Sequence, residues 1–419
     1  MNILFVHEVD WMKKVVFEIH TLAELMSLSG HRVYAIDYES LWEKTGPFDL
    51  GSLRTTVIDG VGRGYPEASV TLVRPGFIKI PVFSRLSAGF THYREIKRTI
   101  RERNIDAVIL YSVPTNGVQT VHIAKKLGVP VIFRSIDILN QLTPSPLLAP
   151  VTRLLERHVY ANVDLILTIS PRLSDYVAGL GARRERVRLL PLGIDTGVFR
   201  PGLDTDGLRA QWNIEDDAPV VVFIGTLFDF NGLDVFLRRF GEVLEQVPET
   251  RLLIVGDGPQ RPELERIIAE TGLTGNVTIT GFQPYDTMPL YMNLATVLIN
   301  TFLITDATRD IFPGKIVQYQ ACGKPIVATA LPGLTAIVPG EEQGIVYSES
   351  PGGMAEKIAA LLQSEERRRE LGQAALTYVK QAHSYDRIVQ ELETHIRGLI
   401  DSRSNPRQQA GTEGDGPER

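Results

Sequence analysis

The sequence predicts an α/β protein built from two doubly wound domains, each with a parallel sheet. Short runs rich in Val and Ile alternate with segments of helical period, which is typical of parallel sheets with crossover helices. The alternation stops in a polar stretch at 200–218 and then starts again. The length of 419 residues is about twice the size at which single cores split. We therefore expect one domain at 1–195 and another at 196–384.

The first half contains six predicted strands, each a short apolar run. They lie at 3–6, 32–37, 107–112, 129–134, 165–170 and 187–191. Helices are predicted between them, for example at 15–28 and 153–161. Because ligands of such sheets bind beyond the carboxyl ends of the strands, residues that follow these strands are the candidates for a site.

The second half repeats the pattern with predicted strands at 220–225, 251–256, 277–281, 296–301, 325–329 and 344–348. The helix after the first of these has apolar residues at the three-and-four spacing of a buried face. The segment 354–400 is helical and charged. Residues 402–419 lack large apolar side chains, and we expect a disordered tail there.

Composition excludes several classes of protein. A net charge of −6 and a pI of about 5.8 argue against a general nucleic-acid-binding protein. The single cysteine, Cys322, excludes an internal disulfide framework and a cysteine-based zinc site, and we expect it in the core. No apolar run approaches the ~20 residues of a membrane helix. No export signal is visible at the first residues, so we expect a cytoplasmic protein.

Glycines follow two strands of the second domain. Strand 220–225 ends in GTLFDFNG, where Gly225 permits close backbone approach and Asn231-Gly232 can open a helix whose N–H groups suit a phosphate. Strand 251–256 ends in VGDGPQRPELERI, with Gly256 and Asp257 at the turn. A dinucleotide fingerprint and a Walker lysine pattern are both missing. Simple strand-to-helix turns explain both stretches equally well.

A lysine and an amide lie together in DIFPGKIVQYQACGKPIVAT. The Pro313-Gly314 turn presents Lys315 at a helix start, and Gln318 lies on the same helix face. An ammonium beside an amide could bind a phosphate and a sugar hydroxyl. A solvated pair at a helix start is the alternative.

Five stretches in order resemble one family: LPLGIDTGVFRP, FIGTLFDFNGLD, LLIVGDGPQRPELE, VTITGFQPYDTMPLYMNLATVLINTF and FPGKIVQYQACGKPIVATALPGL. The sequence is similar to the retaining GT-B glycosyltransferases that use nucleotide sugars, the family 4-like "glycosyl transferases group 1". The resemblance implies two Rossmann-like domains facing across a cleft. It also implies a UDP- or GDP-linked donor held by the second domain, a glycan or lipid-linked acceptor held by the first, and no cofactor. A final helix at about 385–401 would return to the first domain.

The resemblance assigns donor residues by position. The family's glutamate pair corresponds to Asp310 and Gln318, so Gln318 would bind the ribose and Asp310 would face the transferred sugar. The family's Arg and Lys that clamp the diphosphate are replaced by Thr226 and Asn231. Lys315 resembles a Pro-x-Lys variant and is the substitute cation. The implied donor set is Gly225, Thr226, Asn231, Gly256, Asp257, Phe282, Lys315 and Gln318, with Phe282 near the nucleobase.

The first domain departs further from the family. VHEVDWMKK replaces a glycine pair after the first strand, which makes His7, Trp11 and Lys13 the candidate acceptor contacts. Many members have a histidine at the end of the strand resembling 107–112, where this chain has YSVPTNG. Asp137, at the end of another strand, joins Asp310 and Lys315 as a candidate catalytic residue. A structural role for His7 remains open.

The implied reaction needs positive charge at the departing diphosphate, because negative charge grows there as the anomeric bond breaks. Lys315 and helix-start N–H groups could supply it without a metal, and the sequence shows no cluster suited to one. The resemblance implies retention, with the leaving phosphate accepting the acceptor's proton. Two other classes stay open: a non-catalytic binding protein of the same fold, and a two-lobed small-molecule binding protein, which the missing export signal disfavours.

A basic segment suggests a surface for lipid. HYREIKRTIRERN at 92–104 has five cations, with Ile96 and Ile100 on another face, and an apolar, basic stretch at 74–86 precedes it. Peripheral membrane contact would suit an enzyme of cell-envelope or exopolysaccharide synthesis. A solvated helix face is the alternative.

Overall fold

The computed structural model describes residues 1–14, 16–38, 50–80, 83–137 and 149–404. They form two compact units. The first comprises Met1–Pro191 and the chain from Ile388 onward, and the second comprises Leu192–Arg387. Each unit is built on its own sheet.

The sheet of the first unit has the strand order β3-β4-β2-β1-β5-β6-β7-β8. All neighbouring strands are parallel except β3, which runs antiparallel to β4. The strands are β1 (Asn2–Val6), β2 (Arg32–Ile36), β3 (Thr56–Val61), β4 (Val70–Arg74), β5 (Ala107–Leu110), β6 (Val131–Ser135), β7 (Leu165–Thr168) and β8 (Val187–Leu189).

Helices connect these strands in the doubly wound manner that the alternation predicted. The helices of the first unit are α1 (Glu18–Leu28), α2 (Phe83–Glu102), α3 (Gly117–Leu127), α4 (Ala149–Asn162) and α5 (Pro171–Gly179). Ile96 and Ile100 of α2 are buried against the sheet. The buried face of α2 therefore fixes which of its side chains point outward.

The β3-β4 pair was not predicted from the sequence. In β3, only Val61 is buried, and the register of the pair shifts between Ile58 and Val61. An edge strand exposed on both faces carries no strong alternation of apolar and polar residues, which explains why its pattern was overlooked.

The sheet of the second unit is parallel throughout, with the order β11-β10-β9-β12-β13-β14. Every strand predicted for this half is present, with ends within one residue of those expected. The strands are β9 (Val220–Ile224), β10 (Arg251–Val255), β11 (Val277–Gly281), β12 (Val297–Asn300), β13 (Ile326–Thr329) and β14 (Ile345–Ser348).

Two buried clusters lie in the second unit. Phe236 of α7 and Ile358 of α12 belong to one cluster, while Tyr319 of α10 and the neighbouring Cys322 belong to the other. Cys322 is thus in the core, as predicted. The helices are α6 (Asp206–Gln211), α7 (Leu233–Gln246), α8 (Arg261–Glu270), α9 (Met288–Leu294), α10 (Lys315–Ala321), α11 (Pro332–Thr335), α12 (Met354–Gln363) and α13 (Glu365–Ala382).

The last described helix, α14 (Tyr385–Ser404), begins in the second unit and belongs to the first from Ile388 onward. It is longer than the expected 385–401, so residues 402–404 are helical rather than disordered. The rest of the predicted tail, 405–419, lies outside the described residues. None of the helices in the described part of the chain is long and apolar enough to cross a membrane.

A buried ion pair anchors the carboxyl edge of the first sheet. Arg134 of β6 is 1% exposed, and its Nε lies 3.1 Å from Oε1 of Glu18, the first residue of α1. The same guanidinium donates to the carbonyls of Leu190 (2.5 Å) and Pro191 (3.1 Å). The pair therefore links the start of α1 to the two residues that follow β8.

We expect the substitution Glu18→Ala to lower the free energy of unfolding by about 3–5 kcal/mol, because it removes the carboxylate that faces the buried Arg134 charge. Urea denaturation measures the change. The control is Asp175→Ala, which removes an exposed ion pair to Arg184 (3.3 Å) and should cost less than about 1 kcal/mol. Equal costs for the two substitutions would show that the buried pair does not anchor this edge.

Candidate functional site

Three neighbouring strands of the second unit end in glycine. Gly225 follows β9, Gly256 follows β10, and Gly281 ends β11 and bridges to Gly256. Gly225 and Gly256 have φ of +152° and +147°, and a Cβ on Gly256 would lie 2.0 Å from the Gly225 carbonyl oxygen. No other residue fits at Gly256. The edge is thus a floor of bare backbone, which we call the glycine floor.

The loop from Thr226 to Asn231 borders the glycine floor. The Asn231 side chain is 2% exposed and donates to the Thr226 carbonyl, while the Thr301 hydroxyl donates to the Asn231 carbonyl (2.6 Å). The side-chain amide of Asn231 therefore shapes the loop, and the role of Asn231 in donor binding stays a prediction. The Thr226 side chain is exposed. Gly232 caps α7 at the end of this loop.

Lys315 reaches the glycine floor from the first residue of α10. Its Nζ donates to the Ile224 carbonyl at 2.9 Å and would lie 3.3 Å from a Cβ on Gly225. The ammonium also lies over the rings of Phe223 and Phe302, at 4.1 Å and 4.7 Å from their centroids. The structure therefore brings Lys315 and Gly225 together.

In the described part of the chain, the Lys315 ammonium contacts neutral groups. Among the described residues, no carboxylate lies within ion-pair distance of its ammonium. Burial lowers the pKa of Lys315 to about 7. Ring faces and one carbonyl stabilise the cation only in part. An anion at the glycine floor would therefore meet a Lys315 charge that no carboxylate offsets.

Gln318 and Asp310 lie near Lys315 in sequence but have different surroundings. Gln318 Nε2 donates to the Tyr285 hydroxyl at 3.0 Å, and the exposed Tyr285 ring meets Phe199 edge-on. Asp310 is half-buried, and its backbone packs against Gly333, where a Cβ would approach to 2.4 Å. Tyr285 is a candidate contact that the sequence analysis did not assign.

An exposed ion pair lies at the end of β10. Asp257 accepts from the Gly258 N–H (2.8 Å) and from Arg261 (2.9 Å), and these contacts hold its pKa below the usual range. Arg261 Nη1 would lie 3.3 Å from a Cβ on Gly281, so this guanidinium lies beside the glycine floor. Phe282 is 83% exposed at the same edge. The arginine in GDGPQR was the missed signal for a second cation.

At the carboxyl edge of the first sheet, His7 follows β1. Its Nδ1 accepts the Glu8 N–H at 2.7 Å, and its ring lies against Phe17 and Tyr111. Burial, followed by the charges of His20 and Lys14, lowers the pKa of His7 to about 3. The ring therefore stays neutral with its proton assigned to Nε2 by the Nδ1 bond, and it suits hydrogen-bond donation rather than general base catalysis.

Trp11, a predicted acceptor contact, lies in the interior. The residue is fully buried, its backbone N–H donates to Asp37 Oδ2 (3.2 Å), and its carbonyl lies 3.1 Å from His20 Nε2. The loop after β1 thus folds inward, and the indole packs in the interior. Lys13, two residues further, is exposed.

Three polar residues at this edge were missed. Glu8 Oε1 accepts the N–H groups of Thr115 and Asn116, at 2.7 Å each, at the start of α3. The buried Tyr38 hydroxyl and the Asn116 Nδ2 have no hydrogen-bond partner among the described residues. Burial, and next the Glu8 charge, raise the pKa of Tyr38 to about 12. Both unsatisfied groups are buried, Asn116 completely. Glu8 beside His7 at a strand end was the available signal.

Asp137 lies at the end of the described segment 83–137 and is exposed. Loss of part of the water around its carboxylate, followed by the negative charge of Glu18, raises the pKa of Asp137. Within the described segments, no group of three or more His, Cys, Asp or Glu is arranged to hold a metal ion.

Two family models match the chain. The model described as "Glycosyl transferases group 1" matches residues 218–364, and the model described as "Glycosyl transferase 4-like domain" matches residues 19–193. The first match contains the glycine floor and Lys315, and the second contains most of the first sheet.

Similar proteins include a D-inositol 3-phosphate glycosyltransferase from Segniliparus rotundus, 30% identical over 272 residues, which are 62% of this chain and 57% of the relative. A GDP-mannose-dependent alpha-(1-6)-phosphatidylinositol monomannoside mannosyltransferase from Mycolicibacterium smegmatis is 30% identical over 182 residues, 43% of this chain and 47% of the relative. The chain thus spans about half the length of these curated relatives.

A crystal structure of Anabaena Alr3699/HepE in complex with UDP has the same fold, with a TM-score of 0.68 and 16% sequence identity. The likeness covers 95% of this chain and 100% of that chain. The predicted fold class, GT-B with Rossmann-like units, is confirmed.

Proposed function

Because the chain belongs to the group 1 glycosyl transferases, we propose that it transfers a sugar from a UDP- or GDP-linked donor to a glycan or lipid-linked acceptor. We further propose that the anomeric configuration is retained and that the product belongs to a cell envelope or an exported polysaccharide. The observation that carries the proposal is the unneutralised Lys315 ammonium at the glycine floor.

The donor diphosphate is proposed to lie on the glycine floor. Bare backbone lets the phosphates approach closely, and Lys315 supplies a cation at its centre. The start of α7 after Gly232 adds N–H groups. Arg261 lies beside Gly281, but its charge is already paired with Asp257 and Glu265. This set takes the place of the family's Arg and Lys.

The nucleoside and the sugar extend from the floor in the proposed complex. Phe282 and Tyr285 are exposed aromatic rings at the end of β11, suited to contact the base and ribose. Gln318, bonded to Tyr285, is proposed to hold the ribose. Asp310 is proposed to face the transferred sugar.

As the anomeric carbon–oxygen bond breaks, the electron pair goes to the departing diphosphate, and Lys315 stabilises the charge that develops there. The diphosphate oxygen that leaves the anomeric carbon takes the proton of the acceptor hydroxyl. The acceptor oxygen bonds to the anomeric carbon at the same time. Such a reaction needs no side-chain base, which agrees with the neutral, weakly basic His7.

The acceptor is proposed to bind at the carboxyl edge of the first sheet through hydroxyl groups. Glu8 can accept hydrogen bonds from them, and His7 can donate through Nε2. The Tyr38 hydroxyl and the Asn116 amide are buried donors without a partner among the described residues. Lys13 is exposed nearby in the chain and suits a phosphate on the acceptor. This set replaces the buried Trp11, and Asp137 stays a candidate catalytic residue.

One face of α2 is proposed to contact an anionic membrane. Phe83, Leu86 and Phe90 are 60%, 69% and 67% exposed, and the three-and-four spacing places them in one stripe. The exposed Arg94 and Arg101 extend the same face toward the end of the helix. Apolar side chains beside cations suit headgroups of negative charge.

A second candidate function is donor binding without catalysis. The observation that favours it is the loss of both family cations, since Thr226 is neutral and the Asn231 amide is engaged in the loop. In this case the chain would bind a nucleotide sugar and serve as a partner protein.

We expect Lys315→Ala to weaken binding of the preferred nucleotide sugar about 100-fold, since it removes the cation at the phosphate (~3 kcal/mol). Calorimetric titration with a panel of UDP- and GDP-sugars measures it. The exposed Lys380→Ala is the charge-matched control and should bind like the unsubstituted protein. Binding that is equal in both variants would overturn the donor site. Binding without transfer or slow donor hydrolysis would support the non-catalytic candidate.

Donor affinity should fall as the pH rises above about 7, the pKa of Lys315 in the free protein. Below that pH the ammonium is already charged, whereas above it binding must take up a proton, and affinity drops by up to about tenfold per pH unit. Titration between pH 6 and pH 9 at ~0.15 M ionic strength tests this. Lys315→Ala should bind weakly with no such slope, and a flat profile for the unsubstituted protein would contradict the assignment.

Flotation with vesicles that contain anionic lipid should carry the protein upward at low salt. Leu86→Ser should weaken the partitioning about tenfold, because a leucine transferred out of water contributes roughly 1.5–3 kcal/mol. Leu28→Ser, an exposed leucine at the end of α1, is the matched control. The proposed membrane-binding face would be contradicted if the unsubstituted protein failed to float. It would also be contradicted if both variants lost partitioning equally.

A further inference from the structure

A second cationic site lies at the opposite edge of the second sheet. This pocket has a volume of about 410 Å³. Thr296 and Pro325, which directly precede β12 and β13, place it at the amino ends of the strands. Its walls come from α6, the end of α9, the α10–β13 turn and the first turn of α13. The lining residues used below are Thr205, Arg209, Lys324, Glu365, Arg368 and Arg369.

The pocket contains four cations and one carboxylate, that of Glu365. Arg209 donates to the carbonyls of Glu215 (2.6 Å) and Ala218 (3.3 Å). Arg368 likewise donates to the carbonyls of residues 361 and 362, at 2.8 Å and 2.6 Å. These bonds position both guanidinium groups without cancelling their charge, because the acceptors are neutral.

Lys324 lies in the middle of this set. It directly follows Gly323 in the turn after α10, and its side chain is largely enclosed. Over the described chain, neither Lys324 nor Arg369 has a carboxylate within ion-pair distance. Burial lowers the pKa of Lys324, and the charge of Arg209 acts in the same direction. The folded protein thus holds positive charges close together at an energetic cost.

We propose that this pocket binds the phosphoryl group of a small phosphorylated molecule, with Lys324, Arg368 and Arg369 as its cationic ligands. Guanidinium groups donate paired hydrogen bonds to phosphate oxygens, and an ammonium adds a compact charge. The volume falls in the range of pockets that hold small molecules, and the Thr205 hydroxyl in the wall can meet a hydroxyl of the ligand.

This site is distinct from the glycine floor. The floor lies beyond the carboxyl ends of β9, β10 and β11, whereas the pocket lies at the amino ends of β12 and β13. Lys315 opens α10 and Lys324 follows its other end, so the helix separates the two cations. Binding at one site can therefore be measured with the other disabled.

The experiment uses the full chain with Lys315→Ala as background, which silences the glycine floor. Inorganic phosphate and a hexose monophosphate are titrated against chloride at constant ionic strength, by calorimetry and by thermal unfolding. We expect saturable binding of one equivalent and a rise in Tm with phosphate concentration. Tighter binding of the hexose monophosphate identifies a sugar phosphate as the ligand class, and equal binding identifies the phosphoryl group alone.

Adding Lys324→Ala should weaken phosphate binding at least tenfold, and Arg369→Ala at the exposed rim should do the same without disturbing the buried turn. Lys380→Ala on α13 removes an equal charge outside the pocket and should leave the affinity unchanged. The proposal is overturned if phosphate shows no saturable binding in the Lys315→Ala background. It is also overturned if Lys380→Ala weakens binding as much as the two pocket variants do.

Discussion

The carboxyl ends of β9 and β10 approach so closely that the Gly225 carbonyl occupies the space where a side chain on Gly256 would begin. This steric constraint determines what the second unit can present at that edge. Backbone groups remain exposed there, and any charge must come from side chains that reach in from neighbouring helices. Lys315 reaches in from α10, and Arg261 reaches in from α8. The chemistry of the site thus follows from where glycine is the only residue that fits.

A cation in this position destabilises the folded protein when no anion is bound. Lys315 has lost much of its water and receives in return one carbonyl and two ring faces, which stabilise an ammonium less than a carboxylate would. A carboxylate, however, would compete with the phosphate for the same charge. A lysine held by neutral groups keeps its attraction for an anion, and the cost is borne by the free protein.

The sequence allowed the parallel strands and the position of Lys315 to be predicted, because both depend on local patterns. Apolar runs mark strands, and a Pro-Gly turn before a helix marks its first residue. The roles of Asn231 and Trp11 could not be predicted in this way. Their burial depends on Thr301 and Asp37, which are 70 and 26 residues distant along the chain. The β3 strand was missed because an exposed edge strand leaves a weak pattern. Tyr38 was missed because only the three-dimensional structure shows that its buried hydroxyl lacks a hydrogen-bond partner among the described residues.

Both ends of α10 carry the same physical arrangement, which suggests a common consequence for stability. At Lys315 and at Lys324, a cation is placed in a partly buried site whose described neighbours include no paired carboxylate. Each such cation destabilises the folded state on its own, and each cost is recovered when an anion binds, since binding to the folded form alone adds stability. The helix between them is only seven residues long and packs its Tyr319 side in the core. This short helix with an unpaired cation near each end is therefore most stable when anions are bound at both cations. The stability of this part of the second unit should thus rise when either ligand binds.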